Sequence, residues 1–166
     1  MKLLHPTSKP FITQHYGNKS PMYKTSHDGT DFRIKEDPER KILAAADGEV
    51  VRALTGSHDF YYFSGGVWVK SPYYGQGSYY GNEIALRHEQ DGKVFFTRYG
   101  HNEKVLVKVG DKVKAGQHIA KGGNTGLSKG AHLHFMTQWV LDSGRHTFNP
   151  EPFFVWELEQ LFIRDE

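Results

Sequence analysis

Cysteine is absent from all 166 residues, which excludes a disulfide framework and thiolate ligation, so any metal held here rests on imidazole and carboxylate. Long apolar runs are also missing. Ile42 to Ala46 and Phe153 to Trp156 are typical of the longest, far short of the roughly 20 residues a membrane helix needs. The opening MKLLHPTSKP breaks at His5 and Pro6, before the apolar stretch of about 7 to 15 residues that marks a secretory signal. No charge sign dominates: 21 basic and 19 acidic side chains leave a formal +2. Lys and Arg are scattered, which argues against a nucleic-acid partner.

What is present has the balance of a globular chain, 37% hydrophobic and 24% charged. The length suits one domain spanning 1–166, with a monomer as the expected state. Eighteen glycines separate short segments rich in Val, Ile, Tyr and Phe, a pattern that predicts a mainly β fold with a small curved antiparallel sheet and loops walling a groove. Strands are expected over 48–54, 83–88, 93–99 and 132–140. Asp91-Gly92 supplies the tight hairpin turn between the second and third. The stretch VLVKVGDKVKAGQHIA from Val105 predicts two further tight turns, at Gly110-Asp111 and Ala115-Gly116. Val155, Leu158, Leu161 and Phe162 recur at helical spacing, so a short C-terminal helix is expected over 154–163.

Residues 57–81 differ in character, carrying Tyr61, Tyr62, Trp68, Tyr73, Tyr74, Tyr79 and Tyr80 among glycines. A loop this long in a small domain is functional or disordered as a rule. The favoured reading is a ligand-facing wall with Trp68, Tyr73, Tyr74, Tyr79 and Tyr80 as groove residues; the competing one is a self-packed loop shielding the sheet.

Ten histidines are present, and most need no special role: His5, His15, His58, His118 and His146 carry no ligand spacing. His88-Glu89 opens like an HExxH zinc helix, but position 92 is Gly92. His27 and Asp31 lie four apart with Gly29 between them, and in extended chain both side chains leave one face. His132 and His134 lie two apart in a β context, sharing a face while Leu133 and Phe135 point to the core. A catalytic zinc takes three protein ligands and keeps a fourth position open. One histidine of the pair therefore suits ligation and the other proton transfer, with His101 as the remaining candidate.

With HxxxD at His27 to Asp31 and HLH at His132 to His134, the sequence resembles the M23 metallopeptidases, the lysostaphin-like or LytM-type peptidoglycan hydrolases. The connecting text is similar too: ILAAADGEV from Ile42, GDKV from Gly110, GQHI from Gly116 and GNTG from Gly123. The resemblance runs from about Pro6 to Pro150, with 57–81 standing out as an insertion.

The resemblance implies one Zn2+ per chain, held by His27, Asp31 and His134, with His132 and His101 as the catalytic histidines. It also implies a tyrosine upstream of the first ligand that stabilises the transition state; Tyr23 is nearest, with Tyr16 the other choice. Asn102 follows His101 where leucine is commoner in the family. The implied activity is endopeptidase cleavage of stem or cross-bridge peptides, with bacterial peptidoglycan as partner and the cell wall as place of action. A phage endolysin made in the host cytoplasm is the expected context. The alternative is an inactive relative that binds peptidoglycan or activates another hydrolase. A biotinyl or lipoyl carrier is the third reading, suggested by VKVGDKVKAGQHIA, but it leaves the paired histidines unexplained.

Overall fold

The computed structural model describes residues 1–20, 23–143 and 146–156. Strands dominate. In chain order the first seven are β1 (Leu3–Leu4), β2 (Ile12–Gln14), β3 (Lys19–Ser20), β4 (Tyr23–Ser26), β5 (Thr30–Arg33), β6 (Lys41–Leu43) and β7 (Gly48–Leu54). There follow β8 (Tyr61–Ser64), β9 (Val67–Lys70), β10 (Asn82–Gln90), β11 (Lys93–Val105), β12 (Lys112–Val113), β13 (His118–Gly122), β14 (His132–Gln138), β15 (Thr147–Phe148) and β16 (Phe154–Val155).

Ten of these strands form one antiparallel sheet, whose path runs β12, β7, β10, β11, β14, β5, β2, with β13, β6 and β15 attached at its sides. The β10–β11 hairpin is its spine. Gln90 pairs with Lys93 across a two-residue loop in which Asp91 (φ 51°) and Gly92 (φ 72°) both take the positive φ such a turn demands. From there Ile84, Leu86 and His88 pair with Tyr99, Thr97 and Phe95, and all six are buried. The two glycine turns after Val105 are also present, with Gly110 at φ 95° and Gly116 at φ 81°.

The core lies on one side of this sheet and includes Phe32, Ile42, Val50, Ile84, Leu133 and Phe135. Full burial of a side chain of this size contributes about 1.5–3 kcal/mol. Leu133 and Phe135 point into that core, so the alternation of β14 sends His132 and His134 to the other face.

Two expectations are revised. Residues 154–155, where a helix was expected to begin, form β16, which pairs in parallel with β1. They follow only a 3-10 turn over Glu151–Phe153; the remainder of the expected helix, 157–163, lies outside the described residues. The stretch from His27 to Asp31, expected to be extended, is interrupted by a bend at Gly29 between β4 and β5. Among the described residues no helix is long and apolar enough to cross a membrane.

The 57–81 segment holds a hairpin, β8–β9, turning at Gly65 and Gly66, which both have positive φ. It docks on the 122–130 loop: Phe60 N donates to Gly126 O, Gly126 N to His58 O, and Leu127 N to Tyr79 O (3.2, 3.0 and 2.7 Å). Part of it packs on itself. Phe60 is fully buried against Tyr74 and Tyr79, and His58 stacks on Tyr73 at 3.9 Å.

Candidate metal centre

Three adjacent strands assemble the site. On β14, His134 is the direct partner of Asp31 on β5 and of Gly100 on β11, so the sheet register alone sets an imidazole beside a carboxylate and one residue from His101. His27 arrives from the loop before β5. The bend at Gly29 brings it in, and glycine is required there for space: a Cβ would lie 2.5 Å from Phe135 O and 2.9 Å from His134 Cε1.

The donor atoms converge. His134 Nδ1 is 2.8 Å from Asp31 Oδ1, and His27 Nε2 is 3.2 Å from each of those atoms. Zinc bonds of about 2.0–2.1 Å at tetrahedral angles separate neighbouring ligand atoms by about 3.3 Å; the two separations from His27 match this, and the His134–Asp31 pair at 2.8 Å is closer. The other ring nitrogens fix the tautomers. His27 Nδ1 donates to the carbonyl of His15 at 3.1 Å, leaving Nε2 a bare lone pair. Asp28 Oδ1 lies 3.0 Å from His134 Nε2, a charge partner lying off the ideal N–H direction, and it draws the ring proton to that nitrogen.

Two imidazole lone pairs and a carboxylate oxygen thus face one point, an arrangement that calls for a positive charge. The pKa shifts report the same demand. Burial opposes charging His134, but Asp28 and Asp31 outweigh it and raise its pKa to about 9. Burial opposes the Asp31 anion, but the adjoining His134 and His27 imidazoles outweigh it and hold the carboxyl well below its usual range. A proton on His134 Nδ1 or a divalent cation meets this demand, and the nitrogen and oxygen donors suit zinc.

His101 and His132 sit beside the donor set, their ring centroids 4.8 Å apart. His101 Nδ1 donates to Thr125 O at 2.7 Å and His132 Nδ1 to Gly130 O at 2.8 Å. Both Nε2 atoms are left as acceptors, and that of His132 is 3.6 Å from Asp31 Oδ2. His101 holds a positive φ of 63°, the cost of aiming its ring from the end of a sheet pairing. Burial first, then the neighbouring His132 and His134, push its pKa down to about 3.

A cleft of about 720 Å³ opens onto all five of these residues. Tyr79 and Tyr80 line it, as does Tyr61, which sequence reasoning did not place there; Trp68, Tyr73 and Tyr74 lie outside its lining. Tyr23 opens β4, and its side chain lies outside the described part of the structure. Tyr16, the other upstream tyrosine, bonds the carbonyl of Thr147 at 3.1 Å. Asp28 was missed because its only sequence signal is a place inside HDGTD.

A model of the family described as Peptidase family M23 matches residues 25–150, which hold every residue of this site. The chain belongs to peptidase family M23. It is 48% identical over 128 residues to the glycyl-glycine endopeptidase ALE-1 of Staphylococcus capitis, covering 77% of this chain and 29% of that protein. It is 35% identical over 109 residues to the peptidoglycan DD-endopeptidase ShyA of Vibrio cholerae, covering 66% of this chain and 19% of that one. This M23 chain therefore spans less than a third of either relative's length. Its fold matches the catalytic domain of the antimicrobial peptidase lysostaphin from Staphylococcus simulans with a TM-score of 0.64 and 31% identity, covering 87% of this chain and 91% of the other.

Proposed function

We propose that this chain is a zinc-dependent endopeptidase that hydrolyses peptide bonds in the stem peptides or cross-bridges of bacterial peptidoglycan. Residues 1–166 are read as one peptidase domain carrying an insertion at 57–81. The observation that carries the reading is the convergence of His27 Nε2, Asp31 Oδ1 and His134 Nδ1 within 3.2 Å of one another. The substrate class is supported by the relatives named for peptidoglycan and glycyl-glycine cleavage.

His27, Asp31 and His134 would hold the ion. The chemistry zinc supplies when bound is Lewis acidity toward a carbonyl and a lowered pKa for water. The chain must then move protons. His101 and His132 each present an acceptor Nε2 to the cleft, anchored through Nδ1 on a backbone carbonyl. The Nε2 that takes the proton of the attacking water becomes the N–H that returns it to the departing amine, so the pair shares the base and acid roles that amide hydrolysis requires. The low pKa of His101 keeps it a neutral acceptor near pH 7. Tyr61 and Tyr79 furnish apolar wall for a peptide chain.

The deciding experiment measures zinc content of the purified chain together with fragment masses from digested cell walls. One zinc per chain and peptide-bond cleavage support the reading. Wall binding with zinc but no cleavage would favour the inactive, wall-binding alternative.

A further inference from the structure

Tyr80 ends the aromatic insertion, yet its contacts are with the centre rather than with the hairpin. Its hydroxyl donates to Asp28 Oδ2 at 2.7 Å, while the other oxygen of that carboxylate faces His134 Nε2 at 3.0 Å. The Tyr80 ring stacks on the His134 imidazole with centroids 5.3 Å apart and planes 22° from parallel. The guanidinium of Arg98 sits 4.9 Å from the centre of the same ring. Arg98 is itself fixed by two hydrogen bonds to the buried Glu83, at 3.0 and 2.9 Å. The Tyr80 carbonyl accepts from the backbone N–H of His101 at 2.6 Å.

A tyrosine that merely fills space needs none of these polar contacts. Here one residue touches an imidazole by its face, that imidazole's carboxylate partner by its hydroxyl, and the neighbouring histidine's backbone by its carbonyl. The hydroxyl matters most, because an anion free to rotate cannot hold a ring nitrogen in one tautomer and one orientation.

We infer that Tyr80 is a positioning residue that orients the metal ligand His134 through Asp28; the inference rests on the zinc-peptidase reading above. The end of the insertion thereby gains a defined role, since the segment beside the cleft also braces the centre.

The test is zinc affinity of the full chain, measured by competition with a chromophoric chelator, for the wild type, Tyr80→Phe, Asp28→Asn and the double variant. Tyr80→Phe keeps the ring and the carbonyl and removes only the hydroxyl. Each single change is expected to weaken zinc binding roughly 10- to 100-fold, the usual effect of losing a partner of a metal ligand, and the double variant to lose no more than the weaker single. Circular dichroism of the zinc-free proteins establishes that each is folded, and ring 15N shifts of His134 in the zinc-loaded protein report its tautomer if one is not. A folded Tyr80→Phe with wild-type zinc affinity and unchanged His134 shifts overturns the inference. So do losses that add in the double variant. A wild type that binds no zinc overturns the zinc-peptidase reading and the inference with it, an outcome read in the first arm alone.

Discussion

His134 and Asp31 face each other as register partners on β14 and β5, and their Nδ1 and Oδ1 atoms lie 2.8 Å apart. This pair forms the rigid side of the centre, because both residues sit on hydrogen-bonded strands above a fully buried core. His27 comes from a bend and completes the set. The proposed division between ligands and proton-transfer groups rests on position: His27, His101 and His132 all have Nε2 free, and it is His27 whose Nε2 lies 3.2 Å from both Asp31 Oδ1 and His134 Nδ1.

That division makes a direct prediction. His134→Ala and Asp31→Ala should emerge zinc-free, while His101→Ala and His132→Ala should keep stoichiometric zinc yet lose roughly 10²- to 10⁴-fold in turnover. Elemental analysis alongside a peptide-cleavage assay separates the two groups. A zinc-free His132→Ala would reassign the HLH pair.

Gly29→Ala should weaken the centre without touching a ligand. The added Cβ meets the Phe135 carbonyl and the His134 ring at under 3 Å, and overpacking of this kind costs about 1–3 kcal/mol. Urea unfolding and zinc titration should show both lowered stability and weakened metal binding, since the bend that delivers His27 must shift.

Glu83→Ala should be among the most damaging changes away from the cleft. Glu83 is 1% exposed and pairs with Arg98 and Arg52; its loss leaves the buried Arg98 with only the exposed Asp142 at 3.5 Å as a charge partner, a defect approaching the roughly 3–5 kcal/mol of a broken buried pair. Chemical denaturation measures this directly. Because Arg98 lies against Tyr80, zinc affinity should fall as well.

Stability should decline in mild acid through His88. Its Nδ1 donates to Asp47 O and its Nε2 accepts from Thr97, both at 2.7 Å, and burial pushes its pKa down to about 4. The folded state therefore binds fewer protons than the unfolded chain between about pH 4 and 6.5, so stability rises with pH across that window and is lost as pH falls through it. The loss should approach ~3 kcal/mol. Denaturation at pH 7.5 and 4.5 should show a steeper drop for the wild type than for His88→Gln.

The 57–81 segment is expected to divide in function. Tyr61→Ala should raise KM for soluble peptides, because Tyr61 lines the cleft. Trp68→Ala should leave their cleavage unchanged, as Trp68 lies on the outer part of the β8–β9 hairpin against Phe63. Equal effects of the two changes would place the whole hairpin in the groove. Deleting 71–81 is a poorer probe, since it also removes Tyr80.

The main strands were legible because they are short runs rich in Val, Ile, Tyr and Phe whose turns use Asp-Gly or lone glycines. The C-terminal pattern misled over 154–155: apolar residues there suit helix and strand alike, and β1 offered a free edge to pair with. The aromatic segment was readable as a distinct stretch but not as two parts, because Tyr73 and Tyr80 look alike in sequence. Only docking on the 122–130 loop turns one toward His58 and the other toward His134.

The sequence by itself determined which donor atoms this chain can offer. With no thiols, the HxxxD and HLH spacings restricted the donors to imidazole and carboxylate, and strand periodicity put His132 and His134 on one face. The tertiary structure decided which of these donors meet. His134 meets Asp31 through strand register, His27 reaches them through a bend that needs Gly29, and Asp28 and Tyr80 become supports by contacts across 106 and 54 residues of chain, respectively. Side-chain direction and partner are set by packing between distant segments, and no local pattern encodes them.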